Sequence, residues 1–146
     1  MKVLYAEHRN AITCREGYTP FEEVLKQADI LTLHCALTET TKNLINQETL
    51  SLCKKGAYLI NTGRGPLIDE QAVCDALKSG RLGGAALDVL VKEPPEKTNP
   101  LIELAKTMPN LIITPHIAWA SDSAVTTLTK KVTQNIEDFV QQLNQK

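Results

Sequence analysis

Residues 57–89 read AYLINTGRGPLIDEQAVCDALKSGRLGGAALDV. The apolar run at 57–61 predicts a buried strand. Asp69 is a favoured N-cap, apolar residues recur after it at helical spacing, and Gly80 closes the helix. The apolar run at 82–89 predicts a second strand. A strand, a helix and a strand in this order are typical of a parallel β-α-β unit.

Similar signals continue on the N-terminal side of this unit. Apolar runs at 2–6 and 30–34 predict two further strands. Between them, Thr19 offers a capping hydroxyl and Pro20 stands at the first helical position. Asn46 can cap a helix that follows the second run. We therefore expect a helix after each of these strands.

The C-terminal side completes the pattern. A proline-rich loop from Glu93 to Pro109 leads to a strand at 111–113, and Ser121 caps a final helix. The five predicted strands are apolar on both faces and alternate with helices through loops. The sequence therefore predicts the α/β class, a doubly wound parallel sheet with helices on each side. The final helix has an apolar stripe that we expect to pack against the sheet, formed by Val125, Leu128, Val132, Ile136, Phe139 and Leu143.

The composition argues against several classes of protein. The 146 residues include 16 basic and 17 acidic side chains, a net charge of -1, which does not suit a nucleic-acid surface. No apolar run approaches the roughly 20 residues that span a bilayer, and the first residues do not resemble a signal peptide. We expect a cytoplasmic protein that binds neither nucleic acid nor a membrane. The cysteines have no zinc-binding spacing, so we expect buried free thiols and no metal at Cys14, Cys35, Cys53 and Cys74.

Polar residues stand at the predicted carboxyl ends of four strands, where sheets of this class bind ligands. Glu7 can accept hydrogen bonds from ribose hydroxyls, or it can be a solvated surface carboxylate. Arg64 stands between two glycines and can bind a carboxylate through two hydrogen bonds, or it can be a surface charge. Asp88 can hold a ligand or cap a turn. His116 can exchange a proton near neutral pH or serve a structural role.

Three motifs follow one another along the chain. They are NTGRGPLIDE at 61–70, GAALDV at 84–89 with Glu93-Pro94 after it, and TPHIA at 114–118. Together they resemble the signatures of the D-isomer-specific 2-hydroxyacid dehydrogenase family, in the same order and spacing. Trp119 and the two residues after it are most similar to the glycerate dehydrogenase, or hydroxypyruvate reductase, branch. The resemblance implies a Rossmann-like NAD-binding domain and the interconversion of a D-2-hydroxy acid and its 2-oxo acid.

The resemblance also implies catalytic roles for three residues. Arg64 is expected to orient the carboxylate and carbonyl of the substrate. His116 is expected to protonate the carbonyl oxygen when NADH delivers hydride. Glu93 matches the family's partner of this histidine. The physical chemistry agrees, since a nearby carboxylate favours the protonated imidazole.

Cofactor-binding residues are implied in the same way. Glu7 matches the residue that binds the ribose, which favours NAD, whereas Arg9 leaves room for NADP. Asp88 matches the residue that holds the nicotinamide carboxamide. At Ala36 the family usually has a proline, so a rigid turn residue is missing. The other residues expected to bind NAD are Cys35, Ala36, Thr62, Gly63, Arg64, His116 and Trp119.

One departure from the family is larger. The chain has no G-x-G-x-x-G motif, which binds a pyrophosphate at a helix N-terminus. In the family this motif lies upstream of the position that matches Met1, and a substrate-binding lobe is built mainly from still earlier sequence. We therefore expect residues 1–146 to be a partial NAD-binding domain with a C-terminal helix, without the first β-α unit. The missing strand is central in the family, so the runs at 2–6 and 30–34 should be separated from the other strands, with exposed edges.

Three functions are compatible with the sequence. The first is an NAD-dependent oxidoreductase, with D-glycerate and hydroxypyruvate as its substrates and a homodimer as its expected state. The second is a non-catalytic module that senses NADH. The third is a truncated chain without activity of its own, because the pyrophosphate has no binding turn.

Overall fold

A computed structural model describes residues 1–144, which form two compact units. The first unit comprises Met1–Pro115, and the second begins at His116. The predicted domain, 1–146, extends two residues beyond the described range.

Strands and helices alternate along the first unit. Its strands are β1 (Tyr5–Ala6), β2 (Tyr18–Thr19), β3 (Ile30–Leu33), β4 (Ala57–Asn61), β5 (Leu82–Leu87) and β6 (Leu111–Ile113). Its α-helices are α1 (Phe21–Gln27), α2 (Gln47–Leu52), α3 (Glu70–Lys78) and α4 (Pro100–Ala105), and a short 3-10 helix covers Gly65–Leu67. The second unit contains α5 (Asp122–Asn144).

All strand pairs are parallel, and the predicted α/β class is confirmed. β1 pairs with β2, and a second sheet has the order β3-β4-β5-β6. The prediction that the run at 30–34 is separated from the later strands is wrong, because Ile30–Leu33 pairs with Tyr58–Asn61 of β4. Of the five predicted strands, β1 lies outside the main sheet and pairs with β2 instead. Its partner β2 was not predicted, since two residues are too few to produce an apolar run.

Local capping signals set the starts of two helices. The Asn46 side chain accepts a hydrogen bond from the amide of Thr49 at 3.1 Å. In return, the Thr49 hydroxyl accepts one from the amide of Asn46 at 2.8 Å. Asp69 caps α3 by accepting a hydrogen bond from the amide of Ala72 at 3.1 Å. Both caps confirm the prediction and satisfy amides that have no partner within their helix.

Two other helix predictions need correction. Thr19 does not cap α1, because it belongs to β2 and Pro20 is the N-cap. The carbonyl of Thr19 accepts a hydrogen bond from the amide of Glu7 at 2.8 Å. The segment predicted as a loop from Glu93 to Pro109 contains α4. Its N-cap, Asn99, accepts hydrogen bonds from two amides of the first turn at 3.0 and 3.2 Å. An asparagine followed by a proline is a helix-start signal in the sequence.

The hydrophobic core lies against one face of the main sheet. Leu31, Leu59 and Leu87 point to this face and are buried with residues of all four helices of the first unit. On the opposite face, Ile30, Tyr58 and Ile112 are 53%, 52% and 59% exposed. Within the first unit, helices therefore cover one face of the main sheet, whereas the prediction placed helices on both faces. Apolar strand residues indicate that a face can be covered, but they do not show what covers it.

The final helix begins where Ser121 predicts. The Ser121 carbonyl accepts a hydrogen bond from the amide of Val125 at 2.9 Å. The six residues of its apolar stripe are 42–61% exposed, and the described part of α5 has no buried residue. That this stripe packs against the sheet stays a prediction.

The four cysteines are free thiols. Cys53 and Cys74 are buried, as predicted, whereas Cys35 is only partly buried and Cys14 is exposed. Cys14 lies in the loop between β1 and β2.

Candidate functional site

Glu7 follows β1, and its side chain is only 4% exposed. Its Oε1 accepts hydrogen bonds from the amide of His8 and from Nη2 of Arg15, both at 2.8 Å. Its Oε2 accepts hydrogen bonds from the amide of Arg15 at 3.0 Å and from Nε of the same residue at 2.8 Å. A carboxylate has about four acceptor positions. These four donors therefore occupy the whole carboxylate.

The same donors control the ionisation of Glu7. The side-chain hydrogen bond from Arg15 and the backbone hydrogen bonds from Arg15 and His8 lower the pKa of Glu7 from 4.5 to about 2. The pair also raises the pKa of Arg15. Glu7 is thus fully ionised at neutral pH. It is a buried carboxylate with a dedicated partner, so the alternative of a solvated surface residue does not apply.

Arg15 is a residue of this site that the sequence did not reveal. Its guanidinium lies over the ring of Tyr18, 3.9 Å from the ring centroid, in cation–π geometry. It is eight positions from Glu7, and no helix or strand lies between the two residues. The return of the chain along β2, beside β1, brings them together.

The loop after β4 is shaped by Asn61, a buried residue that the sequence analysis did not assign. Its Oδ1 accepts a hydrogen bond from the amide of Gly63, and its Nδ2 donates one to the carbonyl of Arg64, both at 3.0 Å. This arrangement is an Asx turn, for which an asparagine at the end of an apolar run was the available signal. Thr62, Gly63 and Arg64 are therefore held in a fixed loop. The Arg64 side chain is exposed, and its Nη1 donates to the carbonyl of Gly63 at 2.8 Å.

The loops after β4 and β5 lie against each other. A Cβ atom at Gly65 would lie 2.0 Å from the carbonyl oxygen of Leu90, so only glycine permits this approach. Glu70, in the first turn of α3, accepts a hydrogen bond from the amide of Val91 at 2.8 Å. Glu93 accepts one from the amide of Leu90 at 2.9 Å. The segment that contains Glu93 is thereby fixed beside the loop that contains Arg64.

Asp88 follows β5 and is buried. Its Oδ1 accepts a hydrogen bond from the hydroxyl of Thr114, and its amide donates one to the carbonyl of Asn61 at 2.9 Å. The carboxyl ends of β4, β5 and β6 thus meet at one sheet edge. The first unit places Asn61, Asp88 and Thr114 next to one another there.

Cys35 and Ala36 begin the loop after β3. The carbonyl of Ala36 accepts a hydrogen bond from the hydroxyl of Thr41 at 2.8 Å, which closes the turn. Burial raises the pKa of the Cys35 thiol. Cys35 is therefore a neutral thiol and not a reactive thiolate at neutral pH.

His116 opens the second unit with a φ angle of 55°. This left-handed conformation is uncommon outside glycine and recurs at functional sites. The carbonyl of His116 accepts a hydrogen bond from Nε1 of Trp119 at 2.9 Å. The turn therefore keeps two of the predicted site residues together. Arg64 and Glu93 belong to the first unit.

Residues 1–118 match the model of one protein family, described as the D-isomer specific 2-hydroxyacid dehydrogenase, NAD binding domain. The chain belongs to this family. The match covers the six strands described above and His116, so the resemblance inferred from the three motifs is confirmed. The fold is the Rossmann-type NAD-binding domain of the D-2-hydroxyacid dehydrogenases.

Individual relatives agree with this assignment. The chain is 82% identical, over 146 residues, to a Haemophilus influenzae protein whose name places it among the 2-hydroxyacid dehydrogenases, covering 100% of this chain and 46% of that protein. It is 47% identical, over 126 residues, to the glycerate dehydrogenase of Methylorubrum extorquens, covering 86% of this chain and 40% of the relative. A crystal structure of the Aquifex aeolicus D-lactate dehydrogenase, complexed with NAD and lactic acid, superimposes with a TM-score of 0.80 at 33% identity, covering 97% of this chain and 46% of that chain. The chain spans less than half the length of these relatives.

The strand ends of this D-2-hydroxyacid dehydrogenase domain fit parts of NAD chemically. Asp88 is a buried carboxylate that can accept a hydrogen bond from a carboxamide. Glu7 is an ionised carboxylate that can accept hydrogen bonds from a ribose diol. The diol and the guanidinium of Arg15 require the same acceptor positions on Glu7.

The described residues, 1–144, also lack two features of other protein classes. No helix in this range is long and apolar enough to cross a membrane. Within the same described part of the chain, no three His, Cys, Asp or Glu side chains form a group that could hold a metal ion.

Proposed function

We propose that the protein is an NAD-dependent oxidoreductase that interconverts a D-2-hydroxy acid and its 2-oxo acid, with D-glycerate and hydroxypyruvate as the preferred pair. Membership of the D-2-hydroxyacid dehydrogenase family supports the class of reaction. The similarity to the glycerate dehydrogenase of Methylorubrum extorquens supports the substrate. The segment that begins at Trp119 supports the same branch.

The fixed loop after β4 carries this proposal. Asn61 holds the loop through two hydrogen bonds, and the backbone at Gly65 packs against Leu90. The exposed guanidinium of Arg64 is therefore attached to a rigid backbone. A guanidinium binds a carboxylate through two parallel hydrogen bonds. A 2-oxo acid held in this way presents its carbonyl carbon in one orientation, which lowers the entropic cost of the reaction.

The proposed chemistry needs one proton and one hydride. NADH, when bound, supplies the hydride to C2 of the 2-oxo acid. His116 donates a proton to the carbonyl oxygen, which gives the 2-hydroxy acid, and accepts it in the reverse direction. Glu93 stabilises the protonated imidazole. The left-handed backbone of His116 supports a functional role for this residue.

The proposed cofactor contacts follow the sheet edge. Glu7 binds the adenosine ribose, and Asp88 binds the nicotinamide carboxamide. The remaining contacts come from the loops after β3 and β4 and from the turn at the start of the second unit, through Cys35, Ala36, Thr62, Gly63, Arg64, His116 and Trp119.

Steady-state kinetics with hydroxypyruvate and NADH test the proposal on the protein as its cell produces it. Arg64→Gln should lower kcat/KM about 100-fold, because the carboxylate loses its bidentate partner. Arg64→Lys should recover part of this loss. The matched control is Arg81→Gln, since Arg81 precedes β5 at the opposite edge of the sheet. Equal activity of Arg64→Gln and Arg81→Gln would contradict the role of Arg64.

His116→Gln separates catalysis from sensing. In an enzyme it should abolish turnover and leave the Kd for NADH unchanged. If the unsubstituted protein binds NADH without turning over any 2-oxo acid, the sensing module becomes the better description. If it binds no NADH, the chain is inactive.

We also propose that the protein acts as a homodimer in the cytoplasm. The family resemblance supports the dimer, and four free thiols suit a reducing compartment. Light scattering of the purified protein tests the first statement, and cell fractionation tests the second.

A further inference from the structure

The pairing of Glu7 with Arg15 bears on cofactor choice. Two of the four hydrogen bonds to the carboxylate come from backbone amides of the loop, His8 and Arg15. The other two come from the guanidinium, through Nη2 to Oε1 and Nε to Oε2. The backbone donors are fixed by the chain, whereas the guanidinium can leave by side-chain rotation. Of the donors to Glu7, only the guanidinium can therefore be replaced by a ligand.

A ribose diol would compete with this guanidinium directly. Its two hydroxyls would donate one hydrogen bond to each carboxylate oxygen, as Nη2 and Nε of Arg15 do in the structure. The carboxylate has about four acceptor positions, and two are held by the backbone. Diol and guanidinium thus cannot both bind Glu7. Binding of the diol requires that the Arg15 side chain moves away.

A 2′-phosphate has the opposite requirement. A ribose that carries this phosphate has no free 2′-hydroxyl to donate a hydrogen bond to Glu7, and an unpaired Glu7 would repel the phosphate. Arg15, in contrast, cancels the charge of Glu7 and is half-exposed, with 53% of its side chain accessible. Within residues 1–144, its Nη1 donates no hydrogen bond and remains available to a phosphate oxygen. Arg9, the other arginine of this loop, is bound to Glu48 at 2.7 Å.

We propose that Arg15 determines the cofactor preference of this chain, by competing with the ribose diol of NADH for Glu7 and by offering a guanidinium edge to the 2′-phosphate of NADPH. This inference rests on the proposed function, because it takes Glu7 as the ribose-binding residue. It assigns to Arg15 a specificity role in cofactor binding and no role in the chemical step.

Dissociation constants for NADH and NADPH, from nicotinamide fluorescence of the protein as its cell produces it, test the proposal. Arg15→Gln should tighten NADH about threefold and weaken NADPH about tenfold, since a charge-assisted hydrogen bond is lost. Arg15→Lys keeps the charge without the two-pronged geometry. It should therefore tighten NADH in the same way and change NADPH less than threefold. Arg81→Gln is the control and should change neither constant.

A second readout follows the guanidinium itself. In nitrogen-detected NMR, the Nε–H signal of Arg15 should be protected in the free protein. NADH should remove this protection, and NADPH should keep it.

The outcomes separate the two proposals. An unsubstituted protein that folds but binds neither dinucleotide overturns the proposed function, and this inference with it. A protein that binds NADH, but whose NADH-to-NADPH ratio stays within twofold in Arg15→Gln, overturns the inference alone. A loss of NADPH binding in Arg9→Gln but not in Arg15→Gln also overturns it. Circular dichroism of each variant confirms folding, and Arg15→Lys decides the question if Arg15→Gln fails to fold.

Discussion

Substitution of Gly65 by alanine should destabilise the fold more than any ordinary glycine substitution. The added Cβ would lie 2.0 Å from the oxygen and 2.1 Å from the carbon of the Leu90 carbonyl, and 2.5 Å from the nitrogen of Val91. Ordinary contact begins at 3.4 Å, so the two backbones must separate by about 1.4 Å. All three atoms belong to the backbone, and no side-chain rotation relieves the contact.

The expected cost of Gly65→Ala lies at the upper end of overpacking penalties, about 3 kcal/mol. For a chain of 146 residues this lowers Tm by about 10 °C. The matched control is Gly80→Ala. Gly80 has a φ of 71° and no atom within 4 Å of the added Cβ, so its substitution costs only backbone strain, about 1 kcal/mol.

Thermal unfolding followed by circular dichroism measures both variants. Gly65→Ala should melt well below Gly80→Ala, because steric separation of two loops exceeds local strain. If Gly65→Ala melts at the same temperature as Gly80→Ala or above it, the loops after β4 and β5 do not lie in the contact described. The kcat/KM for hydroxypyruvate should also be lower in Gly65→Ala, since separation of the two backbones moves the loop that holds Arg64.

Three further predictions concern the core, a helix cap and a pH dependence. Leu59→Ala should cost about 3 kcal/mol in urea unfolding, whereas Ile30→Ala, on the exposed sheet face, should cost less than about 1 kcal/mol; equal costs would contradict the one-sided core. Asp69→Ala should cost about 1 kcal/mol through loss of the cap, and Asp75→Ala, later in the same helix, should cost clearly less. The hydrogen bonds to Glu7 lower its pKa from 4.5 in the reference state to about 2, so they stabilise the fold above pH 4.5 and lose this effect as the pH falls toward 2. The difference in unfolding free energy between the unsubstituted protein and Glu7→Gln should therefore shrink between pH 5 and pH 2.5. A constant difference would show that these hydrogen bonds do not lower the pKa of Glu7.

Features that depend on neighbouring residues were predictable from the sequence. Asn46 and Asp69 cap their helices through side chains that reach only three residues ahead. A tight loop after β4 was also predictable, because the glycines on both sides of Arg64 permit a close turn of the backbone. These predictions depend on local geometry that tertiary packing does not override.

Features that depend on distant pairing were not predictable in the same way. Thr19 has the residue type of a cap, but its carbonyl is used in the pairing of β2 with β1. Ile30 and Ile112 are apolar and yet exposed. The hydrophobicity of a strand residue does not show whether another element covers it. Arg15 has no sequence signal at all, because its interaction with Glu7 exists only when the chain returns beside β1.

The strands of the first unit form two separate sheets, and the amides of these two sheets should exchange at different rates. β1 and β2 are two residues long each and can open locally, whereas amides of β4 and β5 lie inside the four-stranded sheet. Deuterium should therefore enter the β1–β2 region first, and the central strands should exchange only when the whole unit unfolds. Glu7 and Arg15 belong to the faster region. A ligand that contacts Glu7 should therefore slow amide exchange in the β1–β2 region and leave the exchange of the central strands unchanged.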